Sequence, residues 1–180
     1  MTTLPMTMRH VAMREPGPPD VLGMAEGPVP QPGAGDQART RHATGAGDVL
    51  IRVRYAGVNR PDCIQRLGNY PPPPGASPII GLEVAGTVAA IGANVATWRI
   101  GDEVCALTPG GGYAEYCVAP AGHCLLPPKG LSLLEAASRD GADVVLSVYD
   151  HRDDGLDRKV LSFGVRALIL AVHGVRLRSD

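Results

Sequence analysis

Four consecutive prolines, Pro71 to Pro74, sit between a short stretch with a helix-start signature and a β-branched run broken by glycines. Proline donates no amide hydrogen and fixes its own φ, so YPPPPG cannot belong to a helix or a central strand. The segment must be an extended, stiff loop, with Tyr70 at its root. Such a loop holds a fixed shape at low entropic cost.

Upstream of the loop, Val49 to Tyr55 (VLIRVRY) alternates apolar and basic residues, the period-two pattern of a strand with one buried face and one wet face. Ala56-Gly57-Val58-Asn59 ends the alternation. Pro61 suits a first helical turn, Asn59 stands where a cap belongs, and Asp62 favours the amide-rich end, so a helix is expected over Asp62 to Leu67, stopped by Gly68-Asn69. Downstream, II-GLEVAG-TVAAIG from Ile79 to Gly92 reads as a buried strand. Its glycines, Gly81, Gly86 and Gly92, mark bends or close approaches. Glu83 among those apolar neighbours must reach solvent or pair with a cation or backbone amides, because an unpaired buried carboxylate is costly.

The remaining chain adds similar pieces. Arg9 to Met13 and a segment starting at Val21 to Met24 read as a hairpin, with His10 facing solvent. Trp98 to Val104 is a glycine–acid turn entering a strand, in which Asp102 can bond its own turn amides. The glycines Gly110, Gly111 and Gly112 precede an alternating strand and could offer bare amides to a phosphate, or simply form a turn. Ser132 and Glu135 have capping-box spacing, so a helix should begin near Leu133. The expected core is Val49, Ile51, Val53, Ile64, Ile80, Val84, Val88, Ile91, Val104, Tyr116 and Val118.

With 180 residues, 44% of them hydrophobic, the chain supports one ordinary domain, and its net charge of −1 gives no footprint for nucleic acid. No apolar run reaches a bilayer's thickness and the first residues lack a secretory pattern, so no membrane partner and a cytoplasmic location are expected. The four cysteines lack paired CxxC spacing. Pro28 to Asp48 is nearly free of large apolar residues, repeats GAGD at each end, and is expected to be a mobile insertion.

Taken together, AGVNRPD, QRLGNYPPPPGASPIIGLEVAGTVAAIG, the glycine run before YAEY and the GLS..EAA passage resemble the amino-terminal domain of medium-chain dehydrogenase/reductases. The likeness is greatest to the zinc-independent NAD(P)H quinone oxidoreductases of the zeta-crystallin type. It implies a mainly β fold with short helices, a GroES-like partly open barrel over residues 8–138, with 28–48 as an insertion and 139–180 as a divergent or truncated tail. It also implies NADPH as cofactor, a quinone or enone as substrate, and catalytic roles for Asn59 and Tyr70. Asn59, Gly111 and Gly112 would border the cofactor, with Arg60 and Asp62 as a structural pair. Zinc alcohol dehydrogenases of the superfamily carry a cysteine where Asn59 stands and a histidine where Leu82 stands, so no metal is expected here.

Beyond Ala137 the resemblance stops. Val144 to Tyr149 can form a strand, but no GxGxxG turn follows, and a complete Rossmann domain is not expected. The chain is thus expected to be incomplete as an enzyme. The rival expectation is a catalytically silent binding module, acting as a homo-oligomer or through an exposed barrel face.

Overall fold

The structure is a computed structural model and describes residues 3–33, 47–139 and 144–147. The first strands, β1 (Thr7–Met13) and β2 (Leu22–Pro28), pair antiparallel from Thr7↔Pro28 to Met13↔Leu22, forming the expected hairpin. Five more strands make the main sheet in the order β6-β3-β4-β5-β7: β3 (Asp48–Val58), β4 (Glu83–Ile91), β5 (Glu103–Leu107), β6 (Tyr116–Pro120) and β7 (Cys124–Leu125). A sixth, β8 (Val144–Ser147), pairs with β3 at Tyr55 to Val58, beyond the point where β6 leaves that same edge at Arg52. The sheets do not close, and the architecture is the mainly β, partly open barrel expected from the sequence. None of the described helices is long and apolar enough to cross a membrane.

β3 is central because it is long enough to serve several partners. Its alternation holds at Ile51 to Arg54, where Arg52 and Arg54 are exposed, but Val49, Leu50 and Ile51 are all fully buried. Val49 and Ile51 pack with Val84, Val88 and Val104, whereas Leu50 turns to the other face and meets Met8, Val29, Ala114 and Tyr116. The wet face expected at Leu50 is therefore covered. The hairpin is fastened to the segment before β6 by Val11 N donating to Tyr113 O at 2.9 Å and Glu115 N donating to Arg9 O at 3.1 Å. His10, expected in solvent, is half-buried beside Gly27.

Eight of the eleven expected core residues are buried. The exceptions have local causes: Ile91 is the last residue of β4 and 40% exposed, and Ile64 and Val118 are half-buried. The helix α1 (Arg60–Arg66) has Asn59 as its cap and Pro61 in its first turn, but the residues that it buries are Asp62 and Gln65. These are three apart, hence on one face. α2 (Leu133–Arg139) starts as its capping box requires, with Ser132 N donating to Glu135 Oε2 at 2.8 Å and Glu135 N donating to Ser132 Oγ at 3.3 Å. The turn before β5 also forms as expected: Arg99 N donates to Asp102 Oδ2 at 2.8 Å, and buried Trp98 donates its indole N–H to Ala121 O at 3.0 Å.

Both ends of the 28–48 segment belong to the packed structure. Val29 is buried and donates its N–H to Met6 O at 3.0 Å, and Asp48 N donates to Gly33 O at 3.2 Å, which clips the two ends together. Residues 34–46 of the expected insertion, and most of the 139–180 tail, lie outside the described residues.

Candidate functional site

Three segments that are distant in sequence meet at the end of β3: Asn59 with α1, the Ile79 to Glu83 approach to β4, and the glycine loop Gly110 to Tyr113. Backbone contacts hold the second against the third. Gly111 N donates to Ile79 O at 2.6 Å, Gly112 N to Gly81 O at 2.9 Å, Tyr113 N to Ile80 O at 3.0 Å and Thr108 N to Leu82 O at 2.8 Å. Such an approach needs bare backbone on both sides. Gly81 has φ of +105°, and a Cβ there would lie 2.6 Å from Tyr113 N, while a Cβ on Gly112 would lie 2.8 Å from Gly81 O.

This packing determines where Glu83 emerges. It is 7% exposed, and its Oε2 accepts a hydrogen bond from Asn59 Nδ2 at 2.7 Å. Where a cation or backbone amides are expected from the sequence, Glu83 Oε2 instead takes a neutral side-chain carboxamide, that of Asn59, the residue that the sequence singles out for function. Asn59 is also held at its backbone, where its N–H donates to Asp62 Oδ2 at 2.7 Å. Arg60 and Asp62 do not form the expected pair: Arg60 is exposed, whereas Asp62 is buried and turned inward. A charged carboxylate is poorly solvated there, so burial raises the Asp62 pKa above the ordinary aspartate value, partly offset by the Asn59 amide, the Tyr113 hydroxyl and the Leu82 backbone.

Tyr113 is the residue of this cluster that the sequence does not flag. It is buried, its hydroxyl donates to Gly57 O at 3.3 Å, and burial followed by the neighbouring Asp62 carboxyl holds its pKa well above the ordinary tyrosine value. The phenol is therefore a fixed neutral group. Its only sequence signal is an aromatic residue directly after the glycine run.

The expected site residues separate into three places. Asn59 lies in the hydrogen-bonded cluster and is half-buried. Gly111 and Gly112 are beside the cluster, but their amides are already used by Ile79 and Gly81 and are not offered to a phosphate. Tyr70 stands at the start of the proline loop and is 49% exposed, outside the buried group. As a metal position, Leu82 has no lone pair and the Asn59 nitrogen is directed at Glu83. Among the described residues no three His, Cys, Asp or Glu side chains gather as a metal site. Cys117 and Cys124 are buried, and desolvation pushes both thiols up to about 12, which leaves them unreactive at neutral pH.

Residues 45–129 match the family described as "Alcohol dehydrogenase GroES-like domain". The chain is 35% identical over 123 residues to the quinone oxidoreductase of Lama guanicoe, covering 66% of this chain and 33% of that protein. Its fold matches the human synaptic vesicle membrane protein VAT-1 homolog-like protein with a TM-score of 0.62 and 29% identity, over 74% of this chain and 39% of that one. A mycobacterial protein solved in complex with NADPH matches with a TM-score of 0.58 and 34% identity, over 72% of this chain and 37% of that one. The chain thus spans about a third of the length of these relatives.

Proposed function

Since the chain belongs to the medium-chain dehydrogenase/reductase superfamily through its alcohol dehydrogenase GroES-like domain, we propose that it is the substrate-side domain of an NADPH-dependent quinone oxidoreductase. The reaction is hydride transfer to a quinone or enone. The observation that carries this reading is the half-buried Asn59 carboxamide, anchored on Glu83 at 2.7 Å beside Leu82. A superfamily site that polarised its acceptor through zinc would need thiolate or imidazole at those two positions. This one holds an amide and an aliphatic side chain instead, which suits an acceptor that needs no Lewis acid.

The residues present fit one end of the cofactor. The Asn59 carboxamide can exchange hydrogen bonds with a nicotinamide or its ribose, whereas the Gly111 and Gly112 amides cannot also hold a pyrophosphate. In this reading Gly111 and Gly112 border the cofactor by keeping the Gly81 to Glu83 backbone close, not by donating to it. When bound, the reduced nicotinamide supplies a hydride. The protein's part is to place it: Asn59 fixes the ring edge, and Tyr70, on a loop stiffened by Pro71 to Pro74, walls the quinone and orients its carbonyl. The proton that completes the hydroquinone comes from water, and no side chain is assigned as its donor.

Tetramethyl-1,4-benzoquinone, fully substituted so that it cannot alkylate the exposed Cys63, provides a test. Added at millimolar concentration with reduced nicotinamide mononucleotide to 15N-labelled chain, it should shift the signals of Asn59 and Tyr70. Shifts confined to other surfaces would overturn the assignment. A second reading, the binding module, draws support from the exposed apolar residues Leu107, Leu125 and Leu126 at the β5–β7 edge. In that case the signals that respond would be on those leucines and would depend on protein concentration.

A further inference from the structure

The face of the main sheet that turns away from the Val53, Val84 and Val104 core is covered only in part. Register places Tyr55, Ala85, Cys105 and Leu125 in one row across β3, β4, β5 and β7, and pairs Glu83 with Leu107 two residues further along. Cross-strand partners, and residues two apart in a strand, share a face, so Leu107 and Leu125 are diagonal neighbours on one side of the sheet. α2 covers the middle of that side, where Leu133 and Ala136 pack with Tyr55, Ala85 and Cys105. Its cover stops short of the β7 edge: Leu107 is 64% exposed and Leu125 67%, with Leu126 beside it at 71%.

These three leucines expose on the order of 350 Å². That is less than half of the roughly 800 Å² that each partner brings to a stable interface between proteins. The patch is too small to hold a second copy of the chain by itself. It suits a short apolar segment of the same molecule, for which the tether supplies the concentration that a separate partner must make up in area.

The chain carries such a segment. Ala167 to Val172 (ALILAV) is its longest uninterrupted apolar run, and its four large side chains gain by leaving water. The chain also returns to the right sheet before it: β8 pairs with β3, Ser147 opposite Tyr55, at the far end of the row that finishes at Leu125. From Ser147 to Leu125 is four inter-strand spacings, about 19 Å. Residues 148–164 span up to about 55 Å when fully extended, so the run reaches the patch with slack.

We infer that Ala167 to Val172 docks on Leu107, Leu125 and Leu126 of its own molecule and completes the cover that α2 begins. The inference is independent of any role for Asn59 or a cofactor.

The test follows the leucine and isoleucine methyl signals of the full 180-residue chain. The methyls of Leu107 or Leu125 should show through-space contacts with those of Ile169 or Leu170, with the same relative intensity after tenfold dilution. The double variant Leu168→Asp, Leu170→Asp should shift the Leu107 and Leu125 methyls while those of fully buried Leu50 stay in place. Conversely, Leu107→Ser combined with Leu125→Ser, both at exposed positions, should speed amide exchange across residues 167–172 by about tenfold. Either variant decides alone if the other fails to fold. Leu107 and Leu125 methyls unmoved by the aspartates, or exchange across 167–172 unchanged by the serines, would overturn the inference. Contacts that weaken on dilution would give the patch to a second copy of the chain and overturn it as well.

Discussion

At the scale of single residues, a few positions must satisfy geometry before chemistry. Gly81 is one of them: its φ is +105°, and a Cβ there would lie only 2.6 Å from Tyr113 N, which leaves no room for a side chain. Gly81→Ala should cost at least about 2 kcal/mol in denaturant unfolding, because it combines strained backbone with a backbone collision. A variant as stable as the native chain would show that the two segments can part freely. Asp62 is another. Burial raises its pKa in the folded state, so folding favours the protonated form. Its contribution to stability is full below the unfolded-state carboxyl pKa of about 3.9 and is lost as pH rises through the raised folded value. Asp62→Asn should therefore be less sensitive to pH across that window than the native chain, as measured by the unfolding midpoint. An undiminished slope would place the pH dependence elsewhere. Glu83 is legible in the sequence as a charge in need of a partner. That its partner is Asn59 is not, because the two residues meet only once β3 and β4 are packed.

Elements are legible where their determinants are local. Asn59, Pro61 and Asp62 specify the start of α1, and Ser132 with Glu135 that of α2, using residues within one turn. The face that α1 buries is not legible. Ile64 is the core residue expected from the sequence, yet Asp62 turns inward beside Tyr113, and Gln65, on the same face, is buried with it. Leu50 escapes a sequence reading for a related reason: its cover comes from Met8 and Val29 earlier in the chain and from Ala114 and Tyr116 later, and alternation within a strand carries no record of that. The clip between Gly33 O and Asp48 N, with Gly92 N donating to Asp48 O at 2.8 Å, closes the base of the intervening segment. Deleting Ala34 to Ala46 and rejoining the ends should thus leave the thermal midpoint within a few degrees, the scale of a change below about 1 kcal/mol. A large fall would mean that the deleted residues contribute packing.

For the whole molecule, the proposed function gives this chain the substrate side and the nicotinamide contact, and leaves most cofactor affinity of the relatives to the two-thirds of their length that it does not span. Dinucleotides owe much of their binding to a glycine turn and a helix amino terminus at the pyrophosphate, and the Gly111 and Gly112 amides are used within the fold. A few neutral hydrogen bonds of about 1 kcal/mol each give at best about millimolar affinity. The direct measurement is a titration of the 15N-labelled chain with NADPH, followed by amide shifts and by nicotinamide fluorescence. Shifts at Asn59 and its neighbours should grow without saturating at micromolar concentrations. Saturable micromolar binding, or millimolar NADPH that leaves Asn59 unmoved, would contradict the proposed division of the site.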